Sequence, residues 1–388
     1  MRLTIGIAGL LLLFVILWDA FETIVLPRRV RSRVRLARLF YGTTWSAWSA
    51  IGRRIHSADW RDNFLSYYGP LSLILLLALW AISLTFGFAM VHWGFGDTLF
   101  GAEGADSFGG ALYMSGSTFF TLGIGDVTSR TSFGRFLTVA EAGTGIAFLA
   151  LVIGYVPVIY QAFSRREVSI SLLDARAGSP PTAAELLRRY GEERALPARP
   201  PSADGGGQIA AARDLEPAVQ FLRDWERWSS ELLESHLSYP VLAYYRSQHD
   251  NQSWLTSLTV LLDTCALLIV GVDGVPTRPA RLAFAMARHA AVDLSQILGT
   301  PPRALQADRL PPAELARLRG ILAEVGMSLR DGPDADQKLA EVRAKYEPYV
   351  NALAEHLLVA LPPWISAPDT ADDWQTSVYE HLSTARIS

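Results

Sequence analysis

The stretch Phe64–Trp93 contains no Asp, Glu, Lys or Arg. About 20 apolar residues in a helix are enough to cross the hydrocarbon core of a bilayer. Inside lipid every backbone polar group has to be satisfied within the segment itself, so such a run is expected to be a membrane helix. Two other stretches have the same character. One runs from about Leu3 to Leu26, and the other is Phe136–Phe163, whose one acid is Glu141. Hydrophobic residues make up 50% of the 388 residues and charged residues 19%, with a mean hydropathy of +0.20. That balance suits a membrane part joined to a sizeable polar part. A net charge of −3 gives no hint of a polyanionic partner, and no nucleic-acid binding is expected.

Charge distribution orients the spans. Arg28, Arg29, Arg31, Arg33, Arg35, Arg38, Arg53 and Arg54 follow the first span, with no acid between Thr23 and Ala58. Such a cluster marks the cytoplasmic side. A cleaved signal peptide is the alternative for Leu3–Leu26, but Arg2 is the one side-chain charge ahead of the apolar run, and the dense arginines behind it resist export. The third span ends at Arg165-Arg166, a second cytoplasmic flag. The expectation is a multi-pass protein of the inner (plasma) membrane, with its N-terminus outside and a cytoplasmic tail from about Ser164. Segment 28–56 mixes arginines with Val30, Val34, Leu36, Leu39, Trp45 and Trp48. It reads either as a helix lying on the inner surface or as a plain topology anchor.

Between the second and third spans, Phe108–Phe120 has the makings of a short helix, with Asp106-Ser107 placed to cap it. A half-deep helix followed by irregular backbone is tolerated at membrane depth only where protein buries it or it lines a watery cavity. The residues that follow are Thr121-Leu122-Gly123-Ile124-Gly125-Asp126. A dehydrated cation needs a ring of oxygen dipoles, which backbone carbonyls can supply. Aiming successive carbonyls one way requires alternating conformations that glycine adopts cheaply, and Gly123 and Gly125 sit at alternate positions.

The segment Ala111–Asp126, continuing through Phe133-Gly134-Arg135 into the third span, resembles the pore helix and T-V-G-Y-G-D signature of potassium channels in the pore-loop ion channel family. The likeness covers about residues 65–163. It implies an all-α membrane protein with three transmembrane helices, a re-entrant pore helix and filter loop, and a helical cytoplasmic domain. It further implies a homotetramer in the lipid bilayer, with permeant K+ held at Thr121, Leu122, Gly123 and Ile124, Asp126 at the outer mouth, and no other cofactor or metal. Ile124 stands where the family usually has tyrosine and Leu122 where it has valine, so the hydroxyl that braces the usual filter is missing. Tyr113 occupies a pore-helix position where tryptophan is common. Phe119 and Phe120 replace the small residues of many relatives.

Gly145 falls at the family's inner-helix hinge, and Val156-Pro157-Val158 resembles a proline hinge near an inner gate. Gly143 and Gly154 read equally well as packing positions. Glu141, costly at membrane depth, is expected either to brace the filter and its helix, together with Tyr113, or to sit near enough to the outer surface to be solvated. Asp19 and Glu22 are expected to pair with the arginines that follow. No span carries the spaced arginines of a voltage sensor.

The proposed boundaries are 1–27 for the first span, 28–62 for the basic segment, 63–165 for the pore domain, 166–213 for a linker, marked by Gly178-Ser179-Pro180-Pro181 and by the proline- and glycine-rich stretch Leu196–Gly207, and 214–388 for a helical cytoplasmic domain. Helix spacing recurs at Val219, Leu222, Trp225, Trp228, Leu232 and Leu233, and again after Pro311-Pro312 at Leu315, Leu318, Ile321 and Leu322. The apolar run Leu258–Val272 contains Asp263 and is short for a span, so a buried core helix is expected. His236, His249 and His289 lack metal-ligand spacing. Tyr239, Tyr244, Tyr245, Trp228 and Trp254 read as core or interface aromatics, and the single Cys265 as packing. No nucleophile motif, phosphate loop or cofactor fingerprint appears, so a channel rather than an enzyme is expected. The ligand or partner of the cytoplasmic half is not specified. The alternatives are a weakly selective cation channel and a membrane-anchored signalling or scaffold protein that does not conduct.

Overall fold

A computed structural model describes residues 1–26, 36–101, 105–195, 207–248, 252–272, 275–304 and 308–367, with the side chains of 195 and 207–215 excepted. Its contacts divide into two compact units, Met1–Gln161 and Ala162–Ser388.

In the first unit, α1 (Arg2–Ala20) continues into one wide turn, Phe21–Val25, and packs along α4 (Tyr68–Gly94). The backbones approach closely where Gly94 meets Gly6: a Cβ on Gly94 would lie 2.2 Å from Gly6 N. Small residues are the usual means of bringing membrane helices this near. Asp19 is buried between the elements that flank it. It accepts from Trp80 Nε1 at 3.0 Å and from Ala37 N at 3.3 Å, the latter in the first turn of α2 (Leu36–Gly52). A carboxylate suits that position, where unpaired amides leave positive charge. Of the arginines expected to pair with Asp19 and Glu22, Arg28 to Arg35 lie outside the described residues. So does the first part of the interfacial segment. Helix α2 is held by Trp48, which stacks on Phe64 at 4.5 Å, and by Thr44, whose hydroxyl is 2.9 Å from Tyr68 Oη. Phe64 belongs to α3 (Ala58–Ser66).

After α4 the chain forms α5 (Phe108–Phe119), then α6 (Ser132–Ala177). A minimal antiparallel ribbon, β1 (Leu99–Phe100) with β2 (Thr128–Ser129), closes the loop between α4 and α6 in the register Leu99↔Ser129. This ribbon is the one paired-strand element of the first unit among the described residues, a small departure from the all-α expectation.

The second unit is helical: α7 (Ala183–Ala195), α8 (Gly207–Ser238), a short turn Pro240–Tyr244, α9 (Trp254–Gly271), α10 (Thr277–Ile297), α11 (Pro312–Glu324), α12 (Pro333–Arg343) and α13 (Glu347–Leu357). The aromatic and leucine spacing of α8 becomes a buried stripe of Leu222, Trp225, Trp228, Leu232 and Leu233. Leu315, Leu318 and Leu322 do the same in α11, which opens on Pro312, a residue with no N–H to leave unpaired. The end of α6 is anchored here. Buried Arg166 donates to the carbonyls of Leu242 at 2.9 Å and Tyr245 at 2.7 Å, and pairs with Glu167.

Segment 166–213, expected as a linker, therefore carries the last turns of α6 and all of α7. The first of the two linker marks, Gly178-Ser179-Pro180-Pro181, falls just past the end of α6, where Gly178 has φ +87°. The remaining linker signals, Pro197 to Gly206, lie outside the described residues.

Among the described residues, four helical stretches are long and apolar enough to cross a membrane: Arg2–Val25, Ala58–Gly94, Ser132–Ala177 and Trp254–Gly271. The last is α9, and 94% of its most apolar window is buried by protein. Its one acid, Asp263, is satisfied by Arg309 at 2.6 Å and Tyr346 Oη at 2.5 Å, so α9 is a core helix. Cys265 on the same helix is buried as well, and burial pushes its thiol well above the usual range.

Candidate ion-conducting loop

Helix α5 starts where its cap requires. Ser107 Oγ accepts from Gly110 N at 3.1 Å, so Ser107, rather than Asp106, fills the capping role. At the other end the helix hands its unpaired carbonyls to the segment that follows. Thr121 N donates to Thr118 O at 3.0 Å, Leu122 N to Ser117 O at 2.8 Å and Gly123 N to the same carbonyl at 3.3 Å. Ile124 N reaches Ser117 Oγ at 3.5 Å. Three successive amides thus face one serine. In a planar trans peptide the C=O points opposite to the N–H, so the carbonyls of Thr121, Leu122 and Gly123 turn away from α5 into open space.

The backbone angles alternate to achieve this. Thr121, Gly123 and Gly125 have φ of +59°, +60° and +79°. Glycine enters that region freely, but a threonine there is strained. Leu122 and Ile124, the residues between, are 66% and 59% exposed in the single chain, so nothing within it covers this row of carbonyls.

The outer end of the loop is braced by a side chain. Tyr113 Oη donates to Asp126 Oδ2 at 2.9 Å, linking the middle of α5 to the residue after the second glycine. Ile124 makes no such tie. Tyr113 and Asp126 are both expected site residues, and the structure brings them together.

Glu141 is fully buried. Its Oε2 accepts from Ser115 Oγ of α5 at 3.4 Å and lies 3.5 Å from His92 Nε2 of α4. His92 Nδ1 is in turn 2.8 Å from Asp97 Oδ2, and Asp97 Oδ1 accepts from Ser129 Oγ at 2.7 Å and Thr131 Oγ1 at 2.6 Å. The solvated alternative for Glu141 does not describe this position. The sequence pattern does not single out His92, Asp97, Ser115 or Ser117. One available signal is a His and an Asp five residues apart at the end of a charge-free span.

Gly145 packs against the end of α5: a Cβ there would lie 2.0 Å from Phe119 O. A Cβ added at Gly143 or Gly154 would meet nothing within 4 Å, and α6 runs unbroken through Pro157. Along α6, Phe136, Val139, Ile146, Leu149 and Ile153 are exposed in the single chain.

In the second unit, His236 lies buried beside Arg166, and its Nδ1 is 2.8 Å from Leu232 O. His289 lies 3.5 Å from Asp293 on its own helix, and His249 falls outside the described residues. Among the described residues no group of three or more His, Cys, Asp or Glu is poised for a metal.

These features define a helical protein with several candidate membrane spans and a carbonyl-presenting loop between two of them. Residues 75–161 match the family described as "Ion channel", which supports ion-channel activity. The match covers α5, the loop and much of α4 and α6, well under half of the chain. The chain is similar to a protein of Bacillus subtilis (strain 168) described as "Uncharacterized membrane protein YdjJ", at 27% identity over 232 residues, which is 58% of this chain and 60% of the relative. The chain therefore spans less than two thirds of that relative's length. No solved structure matches.

Proposed function

We propose that the protein is a potassium-type cation channel in which four copies each contribute Thr121–Gly125 to one pore. The observation that carries this reading is the alternation of positive φ at Thr121, Gly123 and Gly125 while the amides of Leu122, Gly123 and Ile124 face Ser117. Such a strand presents carbonyls in a row, and a row repeated around an axis replaces a cation's water shell. The exposure of Leu122, Ile124 and the apolar side of α6 leaves these surfaces open to neighbouring copies or lipid. The C-terminal end of α5, with its partial negative charge, favours a cation near Thr121. Gly145 and Pro157 are the positions at which α6 would bend on opening, and conduction would be passive, in the inner membrane. The test is rubidium uptake into proteoliposomes. The reading expects uptake that is abolished by Gly123→Asp; a chain that folds and inserts without uptake contradicts it.

A second reading, a weakly selective cation channel on the same scaffold, is favoured by one observation. The filter's usual side-chain tie at the Ile124 position is absent, and the brace falls at Tyr113–Asp126 instead. A reversal potential near zero between potassium and sodium would select it.

A further inference from the structure

We infer that His92 is a positioning residue: it shares one proton with Glu141 and so ties the helix that carries the filter to the outer loop. The effect on conduction rests on the channel reading above; the shared proton does not.

Asp97 sets the protonation of the ring. Its Oδ1 receives two hydroxyl donors, Ser129 and Thr131. Thr131 Oγ1 accepts from Gly134 N at 2.9 Å, which leaves its own hydrogen for Asp97. With Oδ1 taken up by two hydroxyl donors, Oδ2 is the acceptor left to face the ring. The ring nitrogen facing its Oδ2, His92 Nδ1, must therefore be an N–H that donates.

A donating Nδ1 decides the other side of the ring. In a neutral imidazole with the proton on Nδ1, Nε2 presents a lone pair. An ionised Glu141 also presents only lone pairs. Both side chains have 0% exposure, and a 3.5 Å separation leaves no room for a water between the two atoms. Two lone pairs held face to face in a dry site repel, and each unpaired atom would carry its full desolvation cost. One proton between His92 Nε2 and Glu141 Oε2 removes the conflict. The 3.5 Å separation leaves Nε2 and Glu141 Oε1 without a conventional partner, and unspent capacity at two buried atoms in one contact calls for an explanation.

The pair also joins four elements. His92 lies on α4, Asp97 in the turn between α4 and β1, Ser115 on α5 and Glu141 on α6. Among the described residues the titratable groups facing the pair are Asp97 and the pair itself. Helix α5 adds only the Ser115 hydroxyl, and Arg135 of α6 is one step removed, on Ser129 O at 3.4 Å. A second proton, taken up on acidification, would neutralise Glu141 and release it from the ring, loosening α5 from α4 and α6.

Two measurements on the full chain in lipid nanodiscs or proteoliposomes test this. In the first, 15N spectra of labelled histidine, with the His92 signal identified by its loss in H92Q, read the ring directly. The inference expects both nitrogens of His92 to carry or share a proton at neutral pH, and Nε2 to become an unprotonated lone-pair nitrogen in E141Q. A wild-type Nε2 that is already unprotonated overturns it. In the second, the ratio of rubidium to sodium uptake is followed against pH. The expectation is a ratio about tenfold lower in E141Q and H92Q, the scale of one lost charged hydrogen bond, and an acid-induced drop in wild type that E141Q lacks. Variants that melt and elute as wild type does, yet have wild-type ratios and pH profiles, overturn the positioning role. No uptake by wild type refutes the channel reading, and the nitrogen spectra still decide the shared proton.

Discussion

Replacing Gly145 by alanine probes the contact on which the loop's geometry depends. The added methyl carbon would lie 2.0 Å from Phe119 O and 2.9 Å from its carbonyl carbon, where ordinary contact begins at 3.4 Å. Both obstacles are backbone, and the carbonyl belongs to the last turn of α5, so no side chain can rotate out of the way. Either α6 retreats or the end of α5 moves, and Leu122 and Gly123 are bonded to Ser117 in that same turn. Overpacking of this kind costs about 1–3 kcal/mol. Against this, alanine gains up to about 1 kcal/mol over glycine inside a helix. The net loss should therefore be up to about 2 kcal/mol, with altered permeation. Gly143→Ala and Gly154→Ala are the controls: with nothing within 4 Å, they should be neutral or slightly stabilising. The assay is thermal unfolding of the purified protein together with rubidium uptake. If Gly145→Ala melts and conducts as wild type does, or Gly143→Ala is equally harmful, the approach of α6 to Phe119 does not govern the loop.

Tyr113→Phe removes the brace on Asp126; because the bond is solvent-exposed, melting should barely change, while rubidium uptake and selectivity fall. Equal selectivity would remove Tyr113 from the site. Arg166→Met strands the carbonyls of Leu242 and Tyr245 and leaves Glu167 without its partner. The expected cost, read by denaturant unfolding, is about 3–5 kcal/mol, and a loss below about 1 kcal/mol would contradict the anchoring role. Burial, and then the charge of Arg166, push His236 down to about 3, against the bond to Leu232 O. Between that value and the unfolded one, near 6.5, the unfolded chain binds a proton that the folded chain refuses. Stability should therefore fall with pH from about 6.5 toward 3 by about 1.4 kcal/mol per unit, with no contribution above that window. His236→Gln should lose this slope, and an unchanged slope would contradict the assignment.

Periodicity and charge make some parts of the molecule legible and leave others hidden. The apolar runs announce α1, α4 and α6 because lipid tolerates little else over such lengths. Gly123 and Gly125 announce the alternation because only glycine adopts positive φ freely. Thr121 does not, since a strained threonine looks like any other; its conformation comes from the end of α5 and the Ser117 bonds. The Asp97–His92–Glu141–Ser115 chain is illegible for a different reason. Its members lie on four elements, and a lone polar residue in an apolar run gives no sign of its partner. Glu141 stands out as an anomaly, and its position becomes clear only once α4 and α5 pack against it. Segment 166–213 reads as a linker because its polar, arginine-rich surface hides the buried stripe of Ile170, Leu173 and Ala177 that carries α6 onward.

Whether Thr121–Gly125 forms a potassium-type filter is best read from a bi-ionic reversal potential in planar bilayers. With potassium on one side and sodium on the other, a potassium-type filter gives wild type a reversal potential displaced strongly toward potassium, with current lost in Gly123→Asp. A reversal near zero, or current that survives Gly123→Asp, would overturn that assignment.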